Sequence, residues 1–159
     1  MKKRLRSIAT QTRKLLENIS HDILIKAEPS LAGLCGYASL LLDDVLKKKG
    51  YNPQIIKGRG HWFIKCEGYL IDITASQFGQ PNVVVRDFAF VQDAINEKRV
   101  RQFWWEDNGP DGVDSNHYLR DYYCKLQNVL KKRENDIKAK KLKCLAKARE
   151  IREKIDDNR

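Results

Sequence analysis

Three side chains able to generate and hold a sulfur nucleophile occur in order along the chain: Cys35, His61 and Asp72. Cys35 lies in Leu-Ala-Gly-Leu-Cys-Gly-Tyr-Ala-Ser, at the head of an amphipathic run. His61 and Asp72 lie in Gly-His-Trp-Phe-Ile-Lys-Cys-Glu-Gly-Tyr-Leu-Ile-Asp-Ile-Thr, which reads as a β-hairpin. A free cysteine has a pKa of about 8.5, so a helix amino terminus and a nearby imidazolium are needed to hold it as thiolate. In that arrangement His61 takes the thiol proton and delivers one to a leaving amine. Asp72 fixes the imidazole tautomer and stabilises its charged form. The expected chemistry is attack on an amide or ester carbonyl. Backbone N–H groups at the start of the Cys35 helix would hold the oxyanion, and Gly33 and Gly36 would let a substrate approach closely. Gln54 and Gln77 are the candidate side-chain donors. Tyr37, Trp62 and Trp104 are candidate walls for a substrate, although the Trp104-Trp105 pair reads equally as core.

The elements that must position these groups follow from periodicity. Apolar residues from Leu5 to Ala27, Leu15 among them, recur at spacings of three and four, predicting a helix over 4–27 that Pro29 closes. Ser30 is a candidate cap for the next helix. There Leu34, Ala38, Leu41, Leu42, Val45 and Leu46 form one stripe, Lys47 to Lys49 suit the negative end of the dipole, and Gly50 is a stop. Gln54 to Lys57 reads as a short strand. Two more strands are predicted over 60–66 and 69–75, a further one over 82–86, and a helix over 88–99. Residues 106–116 turn to Asp, Asn, Gly and Pro, a loop. From about Asp114 to Asp156 neither proline nor glycine interrupts a helical pattern.

A two-residue turn at Glu67-Gly68 sets Cys66 opposite Tyr69, His61 opposite Thr74 and Phe63 opposite Asp72. His61 and Asp72 are then diagonal neighbours on one sheet face, with Cα atoms about 7–8 Å apart, within reach of an imidazole–carboxylate bond. Trp62, Ile64, Tyr69, Ile71 and Ile73 go to the opposite face, which is expected to be the core.

A cysteine at a helix start, then Gly-His-Trp-Phe-Ile, then Leu-Ile-Asp-Ile-Thr followed by Gln77-Phe78, resembles the transglutaminase-like and papain-like cysteine enzyme superfamily over residues 30–80. Papain-type enzymes carry a glutamine a few residues before the cysteine, where this chain has Glu28-Pro29-Ser30. They also carry a tryptophan near the cysteine, where it has Tyr37. The transglutaminase-like branch is the closer match. The resemblance implies an α+β fold with the cysteine helix packed on a small antiparallel sheet, and acyl transfer: peptide hydrolysis, glutamine deamidation or transamidation. Within that branch some members have lost catalysis.

With 159 residues the chain is long enough for one cored domain. Residues 1–113 are expected to form the enzyme domain and 114–159 an added basic helix. The net charge of +10 is uneven: +5 over residues 1–20, +6 over 131–159, and −1 between. A nearly neutral middle suits a protein or peptide substrate better than a polyanion. The charged ends support a reading of a different class, a non-catalytic basic adaptor or nucleic-acid-binding module. Lysines that alternate with Glu134, Asp136, Glu150, Glu153, Asp156 and Asp157 point first to a solvated or self-associating helix. Cys66, Cys124 and Cys144 read as structural, and four dispersed cysteines suggest reduced thiols in a cytoplasmic setting. Export by a route that reads no amino-terminal signal stays open. His21 and His117 read as surface residues. No cofactor, metal site or membrane span is expected; zinc ligands would need paired spacings that Cys35, His61 and Cys66 lack.

Overall fold

The computed structural model describes residues 1–24, 31–107 and 115–156. The Pro29 stop, the Ser30 cap, the predicted helix end at 25–27 and most of the 106–116 loop lie outside them. The fold is α+β: among the described residues there are four helices and one four-stranded antiparallel sheet in the order β1-β2-β3-β4. α1 spans Lys2–Ile23 and α2 spans Cys35–Lys48. β1 (Gln54–Lys57), β2 (Trp62–Cys66), β3 (Tyr69–Asp72) and β4 (Val84–Asp87) form a meander. α3 (Phe88–Asn96) and α4 (Ser115–Asp156) follow. Short 3-10 turns at Ala75–Phe78 and Phe103–Trp105 have no periodic signature and were not expected.

α1 buries Leu5, Ile8, Ala9, Thr12, Arg13, Leu16, Ile19 and Ile23. Leu15, expected on that stripe, is 37% exposed, because Thr12 and Leu16 already occupy the inward face and Leu15 is turned about 100° from Leu16. The chain leaves α1 in an extended conformation at Leu24. α2 ends as its sequence requires. Gly50 has φ 82°, its N–H donates to the Lys47 carbonyl at 2.9 Å, and the Tyr51 N–H donates to the Leu46 carbonyl at 3.1 Å. This is a Schellman stop, in which the residue in the left-handed region must turn the chain without a Cβ penalty.

The hairpin has the expected register, Cys66 opposite Tyr69, Lys65 opposite Leu70 and Ile64 opposite Ile71. Glu67 (φ 51°) and Gly68 (φ 75°) both lie in the left-handed region, the backbone of a two-residue turn whose twist matches the strands. The expectation that only the Ile64/Ile71 side is core needs correction, since both sides of the sheet are buried. Ile64, Ile71, Ile73 and Val85 are enclosed on the side covered by α1 and α2. Phe63, Leu70 and Val84 pack on the other with Phe88, Val91 and Trp105. Trp62 and Tyr69, by contrast, are half-buried at the margin. Polar His61 and Asp72 therefore sit at the end of an apolar layer, where each needs a partner.

The chain divides into two compact units, Met1–Leu126 and Gln127–Arg159. The division falls inside α4 rather than at its start, because the opening turns of the helix carry Tyr122 and buried Leu126 into the first unit. No helix among the described residues is long and apolar enough to cross a membrane.

Candidate active site

Cys35 is the first residue of α2. The turn before it is tight: Leu31 has φ 59°, Gly33 has φ 77°, and the Leu34 N–H donates to the Leu31 carbonyl at 3.1 Å. A leucine in the left-handed region costs on the order of 1 kcal/mol, offset here by its complete burial. The capping residue, Leu34, has no side-chain acceptor. The N–H groups of Cys35, Gly36 and Tyr37 have no acceptor within the helix, so the positive end of the dipole is presented beside the sulfur.

His61 stands one residue before β2, held there by the Gly58 N–H, which donates to the His61 carbonyl at 2.8 Å. Gly58 must lack a side chain, because a Cβ would come within 2.1 Å of the Trp104 carbonyl oxygen. The imidazole is sealed from solvent, and its Nε2 lies 2.7 Å from Asp72 Oδ2. Asp72 closes β3 and is itself saturated. The Thr74 N–H donates to Oδ1 at 2.7 Å, the Thr74 hydroxyl donates to Oδ1 at 3.1 Å, and the Trp105 indole N–H donates to Oδ2 at 2.8 Å.

With Nε2 committed to Asp72, Nδ1 is the nitrogen left to face the thiol. Asp72 is hydrogen-bonded to the ring, and the Cys35 sulfur lies close enough to act on its protonation. Burial alone would lower the His61 pKa, but the bond to Asp72, its charge and the nearby Cys35 sulfur outweigh it and raise the value to about 9. The site thus favours an imidazolium between a carboxylate and a sulfur. Cys35 is half-buried whereas His61 and Asp72 are enclosed, so the sulfur is the member of the set that a substrate can meet.

Of the two glutamines considered as donors, Gln77 is beside the ring: its Nε2 is 3.4 Å from His61 Nδ1 and also donates to the Thr74 carbonyl at 3.1 Å. Gln54 is exposed and pairs with Lys65, at the end of β1 away from His61. Of the proposed walls, Trp104 stacks on Phe78 at 4.4 Å between ring centroids, and Phe78 meets the His61 ring edge-on at 4.9 Å. Trp62 lies near Gly36, its Cδ1 3.9 Å from where a Gly36 Cβ would be. Tyr37 is buried rather than lining open space, its ring 4.5 Å from that of Tyr122.

Sequence reasoning took Trp105 only as part of the Trp104-Trp105 pair and Phe78 only as part of the resemblance, and had no role for Arg13. Tyr122 covers the Gly36 side of the helix start, where a Cβ would lie 2.6 Å from its ring. Arg13 is buried and ties α1 to the turn carrying Gln77. One of its Nη atoms donates to the Ile73 carbonyl (2.6 Å), the Ser76 hydroxyl (3.1 Å) and the Asn82 carbonyl (3.0 Å). A cluster of three aromatics at Phe103-Trp104-Trp105 in polar sequence was the available signal for Trp105; a lone arginine on a helix gave none.

Of the other cysteines only Cys66 is buried, and burial pushes its thiol up to about 11. Cys124 and Cys144 are exposed, which corrects their assignment to packing. His21 is exposed, as expected, and the His117 side chain lies outside the described residues. Among the described residues no three His, Cys, Asp or Glu side chains are grouped to hold a metal ion. A cleft of about 350 Å3 lined by Arg4, Ser7, Ile8, Gln11, Lys49 and Tyr51 shares no residue with the Cys35 site. Comparison of the chain with models of protein families, with curated proteins and with solved structures found no match.

Proposed function

We propose that the chain is a cysteine-nucleophile acyl-transfer enzyme of transglutaminase-like type, acting on peptide or glutamine carboxamide bonds through a thioester at Cys35. The single observation that carries this reading is the buried Asp72–His61 pair set beside Cys35, with the sulfur at an uncapped helix start. Imidazolium beside sulfur is the resting arrangement a thiolate attack requires. The sulfur adds to the carbonyl carbon, and the oxyanion is held by first-turn N–H groups of α2. The C–N bond then breaks as His61 gives its proton to the departing nitrogen, leaving the thioester. Water or an amine attacks that thioester, its proton passes to His61, and the C–S bond breaks to return thiolate and imidazolium. Asp72, held by Thr74 and Trp105, keeps the ring in register throughout.

Exposed Cys124 and Cys144 serve as internal standards. At pH 6, iodoacetamide should alkylate Cys35 more than tenfold faster than Cys144, on the scale expected when an ordinary thiol is only a small fraction thiolate. The advantage should vanish in His61→Asn. Equal labelling of Cys35 and Cys144 would overturn the reading. Mass spectrometry of proteins incubated with wild type and Cys35→Ala then separates reactions, since deamidation adds about one mass unit at glutamine and hydrolysis cuts the chain.

A further inference from the structure

The second unit, Gln127–Arg159, carries a pattern that the acyl-transfer chemistry does not use. Leu130, Ile137, Cys144 and Ile151 recur every seven residues along α4, with Glu134, Lys141, Ala148 and Ile155 four residues after each. These are the two seam positions of a coiled coil. The positions that flank such a seam are Lys131, Lys138, Leu145 and Arg152 on one side, and Arg133, Lys140, Lys147 and Lys154 on the other. Seven of those eight are basic, and the acidic residues of this stretch fall elsewhere on the helix. The middle of the seam is exposed: Ile137 is 64% exposed, flanking Leu145 is 51% exposed, and Cys144 is exposed.

Flanking charge decides which partner can lie on that seam. In a parallel pair of identical helices one flank faces the opposite flank of its mate; in an antiparallel pair like flanks meet. Either orientation of two copies sets lysine and arginine against lysine and arginine at every flanking pair except those that hold Leu145, which is destabilising. Self-association, a reading the sequence leaves open, is therefore disfavoured. Nucleic acid would satisfy the cations but leave Ile137 and Leu145 in water, and its affinity would owe nothing to them. A lipid surface calls for a broad face of large apolar side chains; this seam is one residue wide and interrupted by Glu134 and Lys141.

We infer that α4 beyond Leu126 is a docking surface for another protein's amphipathic helix, one with an apolar seam and acidic residues on both flanks. Ile137 supplies the main apolar anchor, and the basic flanks choose the partner by charge. This holds whether or not Cys35 reacts, and no readout of it involves Cys35.

The test uses the full-length chain and a fluorescent synthetic helix of about four heptads with leucine on the seam and glutamate on both flanks, whose own charge keeps it from pairing with itself. Anisotropy should show binding that weakens about tenfold between 0.05 and 0.5 M salt. Ile137→Gln should weaken it about tenfold, and a Lys140→Glu/Lys147→Glu variant at least as much. Circular dichroism should show both variants as helical as wild type. Three results would each overturn the inference: unchanged binding in Ile137→Gln; tighter binding to duplex RNA or phosphatidylserine vesicles than to the glutamate helix; or dimers of the chain alone by sedimentation equilibrium at about 10 µM, a concentration at which a functional self-pairing would be populated.

Discussion

At the scale of single residues, the enclosed His61 stores stability in its proton. Its folded pKa of about 9 lies above the ordinary histidine value of about 6.5. Below pH 6.5 both folded and unfolded chains hold the proton, and the stabilisation is complete. As pH rises towards 9 only the folded chain holds it, so stability falls, by about 1 kcal/mol per pH unit. Urea melts from pH 6 to 10 should show that decline in wild type and its absence in His61→Asn, where only the other titrating groups act. Trp105 offers a separate check. Trp105→Phe keeps most of the buried ring but deletes the indole donor to Asp72 Oδ2, and should cost about 2 kcal/mol in denaturation. His61 and Asp72 were legible because a carboxylate between two isoleucines must be paired and the hairpin period places the histidine beside it. Trp105 was not, since a donor 33 residues away obeys no local period.

At the scale of elements, local chemistry and tertiary packing divide the account. The α2 stop and the hairpin register could be read directly, because Gly50 and Glu67-Gly68 act within a few residues of themselves. The same turn yields a prediction. Glu67 holds φ 51° with a side chain ill suited to it, so Glu67→Asn should stabilise by about 0.5 kcal/mol in thermal melts. What could not be read depends on partners far along the chain. Arg13 turns inward because it finds the Ile73 and Asn82 carbonyls, and Leu15 is left partly in water. The two 3-10 turns likewise owe their positions to packing around His61 and Trp105 rather than to any repeat. Sheet burial on both faces follows from α3 and the aromatic turn closing over Phe63 and Leu70, which alternation along the hairpin alone did not announce.

At the scale of the molecule, the opening turns of α4 belong to the unit that contains Cys35. Tyr122 rests on Gly36 and on the Tyr37 ring. Gly36→Ala would thrust a methyl group to within 2.6 Å of that ring and should destabilise by about 1–3 kcal/mol. Tyr122→Ala removes the obstacle, so the pair in one chain should lose less than the sum of the single losses; strict additivity by denaturation would show that the two residues do not touch. The aromatic cover also narrows approach to the sulfur from the α2 side, and alkylation of Cys35 should quicken in Tyr122→Ala.

The placement of Leu126 carries a practical corollary. Composition alone would invite a cut before Ser115, where the glycine- and aspartate-rich stretch ends. Such a shortened chain would strip a hydrophobic lid from the thiol-bearing helix and leave Tyr37 facing water. A boundary after Leu126, in the midst of an unbroken helix, spares that lid and releases only the lysine-rich arm.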